Sequence, residues 1–321
     1  MWRAIQRQSF TDWKKLVDYL QWEEPLCSLV LPNPRFPLNL PIRLAEKIEK
    51  NTLEDPVLRQ FLPLKEETER RPLFLLDPVG DVPSRKAKKL LHKYAGRALL
   101  VTTSACAMHC RYCFRQNFDY ATQDKGFEEE LQLIRADPSL TEILLSGGDP
   151  LSLSNATLQQ LITDLSAIPH LKRLRFHTRF PIGIPERIDE AFLNILSSTR
   201  LQVVFIIHCN HARELDEDIL NALKRIQRLG IPILNQSVLL KGVNDDVQTL
   251  HSLFETLANH GILPYYLHQL DKVQGAAHFE VDEAAGLRLM EELSTLSAGY
   301  ALPKYVKEVA GLPSKQPITR E

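Results

Sequence analysis

Three cysteines, Cys106, Cys110 and Cys113, fall within eight residues in Cys106-Ala107-Met108-His109-Cys110-Arg111-Tyr112-Cys113, a C-x3-C-x2-C spacing. Thiols packed this closely in a reducing compartment read as metal ligands. As thiolates they can hold three corners of a cubane iron–sulfur cluster and leave the fourth iron to an outside ligand. A closed tetrahedral zinc site would need a fourth protein donor. His109 is near but would strain so short a loop, and Cys27 and Cys209 lie far off in sequence. The total of five cysteines is odd, which argues against a disulfide framework. Disulfide exchange would leave the third clustered thiol without a role.

Short apolar runs stand at residues 99–101, 143–145, 174–176, 203–207, 231–234 and 262–267. After the first, their centres recur roughly every thirty residues, the length of a βαβ unit. Amphipathic stretches at 128–135, 156–167, 186–196, 217–229 and 247–258 separate them, and another follows at 282–296. Ser154-Asn155 and Asn244-Asp245-Asp246 are start signals for two of these helices. The alternation predicts an α/β fold with a parallel sheet and helices outside it. Six units are too few for a closed eight-stranded barrel, so the expectation is a partial (β/α)6 TIM-type barrel; periodicity alone does not separate it from a doubly wound open sheet. Polar residues follow every run: Thr102-Thr103-Ser104, Ser146-Gly147-Gly148-Asp149, His177-Thr178-Arg179, His208 with Asn210 and His211, Asn235-Gln236-Ser237, and His268 with Gln269 and Asp271. In parallel βα architectures the active site forms at the carboxyl ends of the strands. Six polar sets converging on one rim predict an enzyme.

Residues 1–90 differ from the rest, holding all three tryptophans and ten of the 20 prolines. They read as a helical N-terminal extension, with helices expected at 11–21 and 41–51 and a connecting segment at 72–83, before a barrel core at 91–321. The 321 residues carry 39 Lys+Arg against 40 Asp+Glu, a formal net charge of -1. Near neutrality argues against a protein built to grip nucleic acid or anionic lipid. No apolar run approaches the ~20 residues of a membrane helix, and the first residues lack the apolar stretch of a signal peptide. A cytoplasmic location is expected. The basic group Arg85, Lys86, Lys88, Lys89 and Lys93 reads as a solvated helix face, its alternative being a docking patch for an acidic partner.

Cys-x3-Cys-x-Tyr-Cys resembles the signature of the radical S-adenosylmethionine superfamily. That resemblance implies a partial barrel, a [4Fe-4S] cluster on Cys106, Cys110 and Cys113, and S-adenosyl-L-methionine on the open iron, with Tyr112 beside its adenine. Ser146, Gly147, Gly148 and Asp149 match the superfamily's glycine motif, which meets the methionine amino group. The text around these motifs resembles the lysine 2,3-aminomutase family: Tyr94-Ala95-Gly96-Arg97, Cys113-Phe114-Arg115-Gln116, Arg179-Phe180-Pro181, and the run from Asn235 to Asp245. The family likeness implies pyridoxal 5′-phosphate as a further cofactor, carried by Lys315 in Pro313-Ser314-Lys315-Gln316-Pro317; the residues themselves read there as a solvated tail. It implies that Tyr94 and Arg97 contact the cofactor phosphate, that Arg115 pairs with the substrate α-carboxylate, and that Asp271 and Glu308 hold its ε-ammonium.

Two positions depart from the family pattern. Glu308 stands where the family has aspartate, and Ala310-Gly311-Leu312-Pro313-Ser314 replaces a glycine-rich stretch. The sequence also stops six residues after Lys315, which resembles the short branch that makes (R)-β-lysine for elongation factor P. The resemblance implies L-lysine as substrate, a functional link to elongation factor P and its β-lysine ligase, and a monomer or small homo-oligomer. Alternatives are an aminomutase acting on another amino acid, a stand-alone lysine 2,3-aminomutase, and a non-catalytic metal-binding scaffold.

Overall fold

The computed structural model describes residues 1–24, 26–120 and 126–320. Ten strands form one sheet in chain order: β1 (Arg85–Ala87), β2 (Leu90–Tyr94), β3 (Arg97–Thr103), β4 (Glu142–Gly147), β5 (Arg173–Thr178), β6 (Gln202–His208), β7 (Ile233–Val238), β8 (Leu263–His268), β9 (Lys304–Lys307) and β10 (Gln316–Pro317). From β3 to β9 every pairing is parallel, with Leu99 opposite Leu144 and Leu144 opposite Arg175. Antiparallel strands β1 and β2 flank one side and β10 the other, and β1 does not pair with β10. This is the expected partial barrel, with two unforeseen antiparallel margins.

Helices pack outside because their apolar faces meet the outward residues of the strands. Phe192 of helix Glu190–Ser197 packs edge-on against Phe176 of β5, which stacks with Phe205 of β6 at 5.7 Å. Carboxylates and a hydroxyl start the helices by accepting from backbone amides: Ser154 from Thr157, Asp189 from Phe192, Asp216 from Ile219 and Asp246 from Thr249. Two expected elements shift. The helix foreseen at 186–196 starts at Glu190, because Pro185–Arg187 form a separate 3-10 turn and Asp189 supplies the cap. The strand foreseen at 231–234 runs over Ile233–Val238. Asn235 and Ser237 belong to it because their backbones pair with Ile207 of β6 and Leu267 of β8, and their side chains bond the Cys209 carbonyl at 3.1 and 2.7 Å.

The extension shares the barrel's core. Leu16, Leu20, Leu40, Leu44, Val57, Leu58 and Phe61 are fully buried in it, and Trp2 meets Phe180 edge-on at 5.3 Å. The extension is less helical than its pattern predicts. Helix Trp13–Tyr19 forms, but the helix expected at 41–51 shrinks to Ile42–Ala45, and Asn51 adopts a left-handed φ of 52°. The basic group is not a helix face, since it lies on and beside β1 and β2. Lys89 is buried with its ammonium on the Gly126 carbonyl, Lys93 pairs with Asp81, and Arg85 donates to the Asp119 carbonyl. Internal partners occupy these three cations, which weakens the docking reading. Among the described residues no helix is long and apolar enough to cross a membrane.

Candidate active site

The cysteine loop leaves β3 and is pressed against the end of β4. Gly148 N donates to the Thr103 carbonyl at 2.7 Å and Asp149 N to the Ala105 carbonyl at 2.8 Å. A Cβ on Gly148 would fall 2.4 Å from the Ala105 oxygen, and Gly147 has a φ of +113°. Glycine is therefore required twice, for contact and for conformation. The extension holds the loop from outside, as Asn39 Nδ2 and Gln6 Nε2 donate to the Cys106 carbonyl at 3.2 and 3.5 Å.

Burial pushes the Cys113 thiol up to about 11, with the neighbouring Cys110 adding to the rise. Burial also raises Cys106, helped by Asp149 and the other two thiols. Three thiolates this close repel one another unless a cation compensates them. Among the described residues no three His, Cys, Asp or Glu side chains gather tightly enough for a single metal ion. This donor set fits a cluster, in which each cysteine holds a different iron, better than a closed zinc site.

Tyr112 is buried beside the loop, with its ring edge-on to His208 at 5.7 Å and Phe279 at 6.0 Å. Its hydroxyl accepts from Asn210 Nδ2 at 2.7 Å. Asp149 faces inward: it accepts from Thr178 Oγ1 at 2.7 Å and from the amides of Leu151, Arg179 and Phe180 at 2.8–3.0 Å. Burial still pushes its carboxyl up to about 6. Both oxygens thus tie the end of β4 to β5.

Across the rim, β9 and β10 return the C-terminal segment to the barrel mouth. Lys315 is no solvated tail residue: its side chain is 29% exposed and its Nζ donates to Glu308 Oε2 at 2.7 Å. Tyr94 donates to the other Glu308 oxygen at 2.5 Å, and Arg97 lies 4.6 Å from the Tyr94 ring. Lys93 Nζ stands 3.8 Å from Glu308 and 2.7 Å from buried Asp81, whose second oxygen accepts from Arg115 Nε at 2.7 Å. Arg115 Nη1 reaches Ser146 Oγ at 3.2 Å. A line of polar contacts thereby runs from Lys315 to the glycine motif.

Burial pushes the Asp271 carboxyl up to about 7, opposed by Lys315 and reinforced by Glu308. Burial, and secondarily cations including Lys315, hold His177 and His268 well below their usual range, so both are neutral. His177 Nε2 and His208 Nε2 are buried without a hydrogen-bond partner. The unused nitrogen of His177, within electrostatic reach of Lys315, and the Tyr94–Arg97 pair beside Glu308 are compatible with a polar cofactor carrying an anionic group.

All the site residues expected from sequence thus fall into two linked groups. One comprises the cysteine loop with Tyr112 and the glycine motif, the other Tyr94, Arg97, Asp271, Glu308 and Lys315, with Arg115 between them. Asp81 and Glu214 carried no sequence signal, since each is a lone acid among ordinary neighbours. Arg179 is marked by the sequence as one of the polar rim residues and within the family likeness, but its partners are not: it bonds Cys110, Tyr112, Gln60 and Glu214.

The Radical SAM superfamily model matches residues 100–253. The chain is 45% identical over 286 residues to L-lysine 2,3-aminomutase of Escherichia coli, spanning 88% of this chain and 83% of that protein. It is 39% identical to the Haemophilus influenzae protein of that name, spanning 98% and 94%, and 34% identical to the Clostridium subterminale one, spanning 84% and 66%. Streptococcus suis SuiB bound to S-adenosylmethionine shares the fold at a TM-score of 0.52 and 14% identity, over 68% of this chain and 51% of that one. The chain belongs to the L-lysine 2,3-aminomutase family.

Proposed function

We propose that this member of the L-lysine 2,3-aminomutase family is an isomerase that moves the α-amino group of L-lysine to the β-carbon, giving (R)-β-lysine. The supporting observation is the line of contacts from Lys315 through Glu308, Lys93, Asp81 and Arg115 to Ser146, which joins a lysine able to carry a cofactor to the cysteine loop. Bound there, the cluster with S-adenosylmethionine supplies a carbon radical for hydrogen removal and return, and pyridoxal phosphate carries the migrating nitrogen.

The protein's part is position, charge and exclusion of water. Lys315 is the attachment point for pyridoxal phosphate, and Tyr94 and Arg97 receive its phosphate. Arginine suits that role through its permanent charge and forked donors. Arg115, oriented by Asp81, takes the α-carboxylate. Glu308 and Asp271 take the ε-ammonium, and the longer reach of glutamate sets how far the substrate chain extends. A functional link to elongation factor P and its β-lysine ligase is part of the same proposal.

Anaerobic turnover of L-lysine with reductant, S-adenosylmethionine and pyridoxal phosphate, followed by chiral analysis, should yield β-lysine of the R configuration. Absence of β-lysine from cluster-loaded protein would overturn the assignment. Formation of β-lysine without any change in the mass of elongation factor P in cells would overturn only the link to that factor.

A further inference from the structure

Arg179 is the most heavily bonded side chain beside the cysteine loop, and the proposed reaction gives it no role. It follows β5 and is buried. Its Nη1 donates to Cys110 Sγ at 2.8 Å and to the Tyr112 hydroxyl; its Nη2 donates to Glu214 Oε2 at 2.5 Å and Gln60 Oε1 at 2.7 Å. The Phe61 and Tyr112 rings stand 4.9 and 5.7 Å from the guanidinium. Glu214 is fully buried and fixed in turn by the Asn210 and His211 amides at 2.9 and 3.0 Å and by Gln60 Nε2 at 3.2 Å. Three stretches of chain hold this one guanidinium against one cysteine sulfur.

A buried Arg–Glu pair is weak support for a fold, because desolvation of both ions cancels most of their attraction. Its electrostatic effect on a group in direct contact is larger than that of a surface pair, because less water screens the charge. Hydrogen bonds to a cluster's sulfurs and nearby positive charge favour the reduced, more negative cluster. We propose that Arg179 tunes the reduction potential of the cluster held by Cys106, Cys110 and Cys113, with Glu214 as the opposing charge and Gln60 as the clamp. The inference rests on the cluster assignment above. Arg179 touches no reacting atom, so it is a positioning residue, and its mark is the sign of a potential shift.

The test is an anaerobic redox titration of the reconstituted protein, with dithionite as electron donor, iron counted beforehand and reduced cluster read by electron paramagnetic resonance. Arg179→Gln should lower the equilibrium constant for one-electron reduction about tenfold, a downward shift of about 59 mV. Glu214→Gln, which keeps the acceptor and removes the charge, should shift the potential upward. Should Arg179→Gln fail to fold, Arg179→Lys takes its place: it keeps the charge, loses the fork, and should shift the potential down by less. Opposite signs at Arg179 and Glu214 support the proposal. Shifts of the same sign, or an unchanged potential in variants with full iron content, overturn it. A parent protein that binds no iron would instead overturn the cluster assignment itself.

Discussion

The two ends of the candidate site are built by different forces. At the cysteine loop, backbone meets backbone: Gly148 and Asp149 donate to Thr103 and Ala105, Gly148 has no room for a methyl group, and the Cys106 carbonyl accepts two amides from the extension. At the lysine end, Lys315 just before the two-residue strand β10, Glu308 just after β9 and Lys93 of β2 form a chain of partly buried charges that ends on buried Asp81. The first end is specified by shape and tolerates little volume change. The second is specified by charge, so it tolerates changes of shape better than changes of protonation.

The sharpest way to break that contrast is Gly148→Ala. The added methyl would meet the Ala105 oxygen at 2.4 Å, so the loop must move. Overpacking of this kind costs about 1–3 kcal/mol, and the displaced cysteines should lose nearly all bound iron, measured by iron content after anaerobic reconstitution. Full iron in this variant would show that the loop is not set by shape.

A smaller, pH-dependent effect belongs to Asp271. Its folded value of about 7 lies above the ordinary carboxylate value. Its contribution to stability is therefore complete below about pH 4 and is lost as pH rises through the folded value. Relative to Asp271→Asn, the cofactor-free parent should lose thermal stability between about pH 4 and 7. Between about pH 6 and 8 its KM for lysine should fall, because the charged carboxylate appears, whereas the KM of Asp271→Asn should stay high and flat. Identical pH profiles for the two proteins would show that charge at this position is immaterial. The smallest effect is expected at the margin of the same region, where Arg320 pairs with Glu291 at 2.5 Å on exposed side chains. Arg320→Ala should cost under about 1 kcal/mol in denaturant unfolding and leave turnover intact.

The contrast also explains what was legible in the sequence. Cysteine spacing is local, so the loop could be read directly, and the thirty-residue cadence marked the six barrel strands because burial on both faces makes them apolar. Lys315 could not be placed from its neighbours: what brings it to the site is the pairing of Gln316 and Pro317 with Val306 and Lys307, a nonlocal event in polar text. β1 and β9 are short and mixed in polarity, so no periodicity announces them. The helix expected at 41–51 failed because Pro41 and the left-handed Asn51 bound a segment that closes in turns after Ala45. Asp81, Glu214 and the partners of Arg179 escaped notice for another reason. Burial of these charged side chains depends on partners far off in sequence, 35 residues between Arg179 and Glu214 and 34 between Asp81 and Arg115.

Gln60 lies outside the barrel in sequence yet accepts from Arg179, Asn210 and Tyr112 at its centre. Anyone transplanting this catalytic module into another scaffold must therefore carry along the segment that precedes β1. A graft cut at the first strand would take all three cysteines and still leave behind Gln6, Asn39 and Gln60. The smallest portable unit is larger than the barrel.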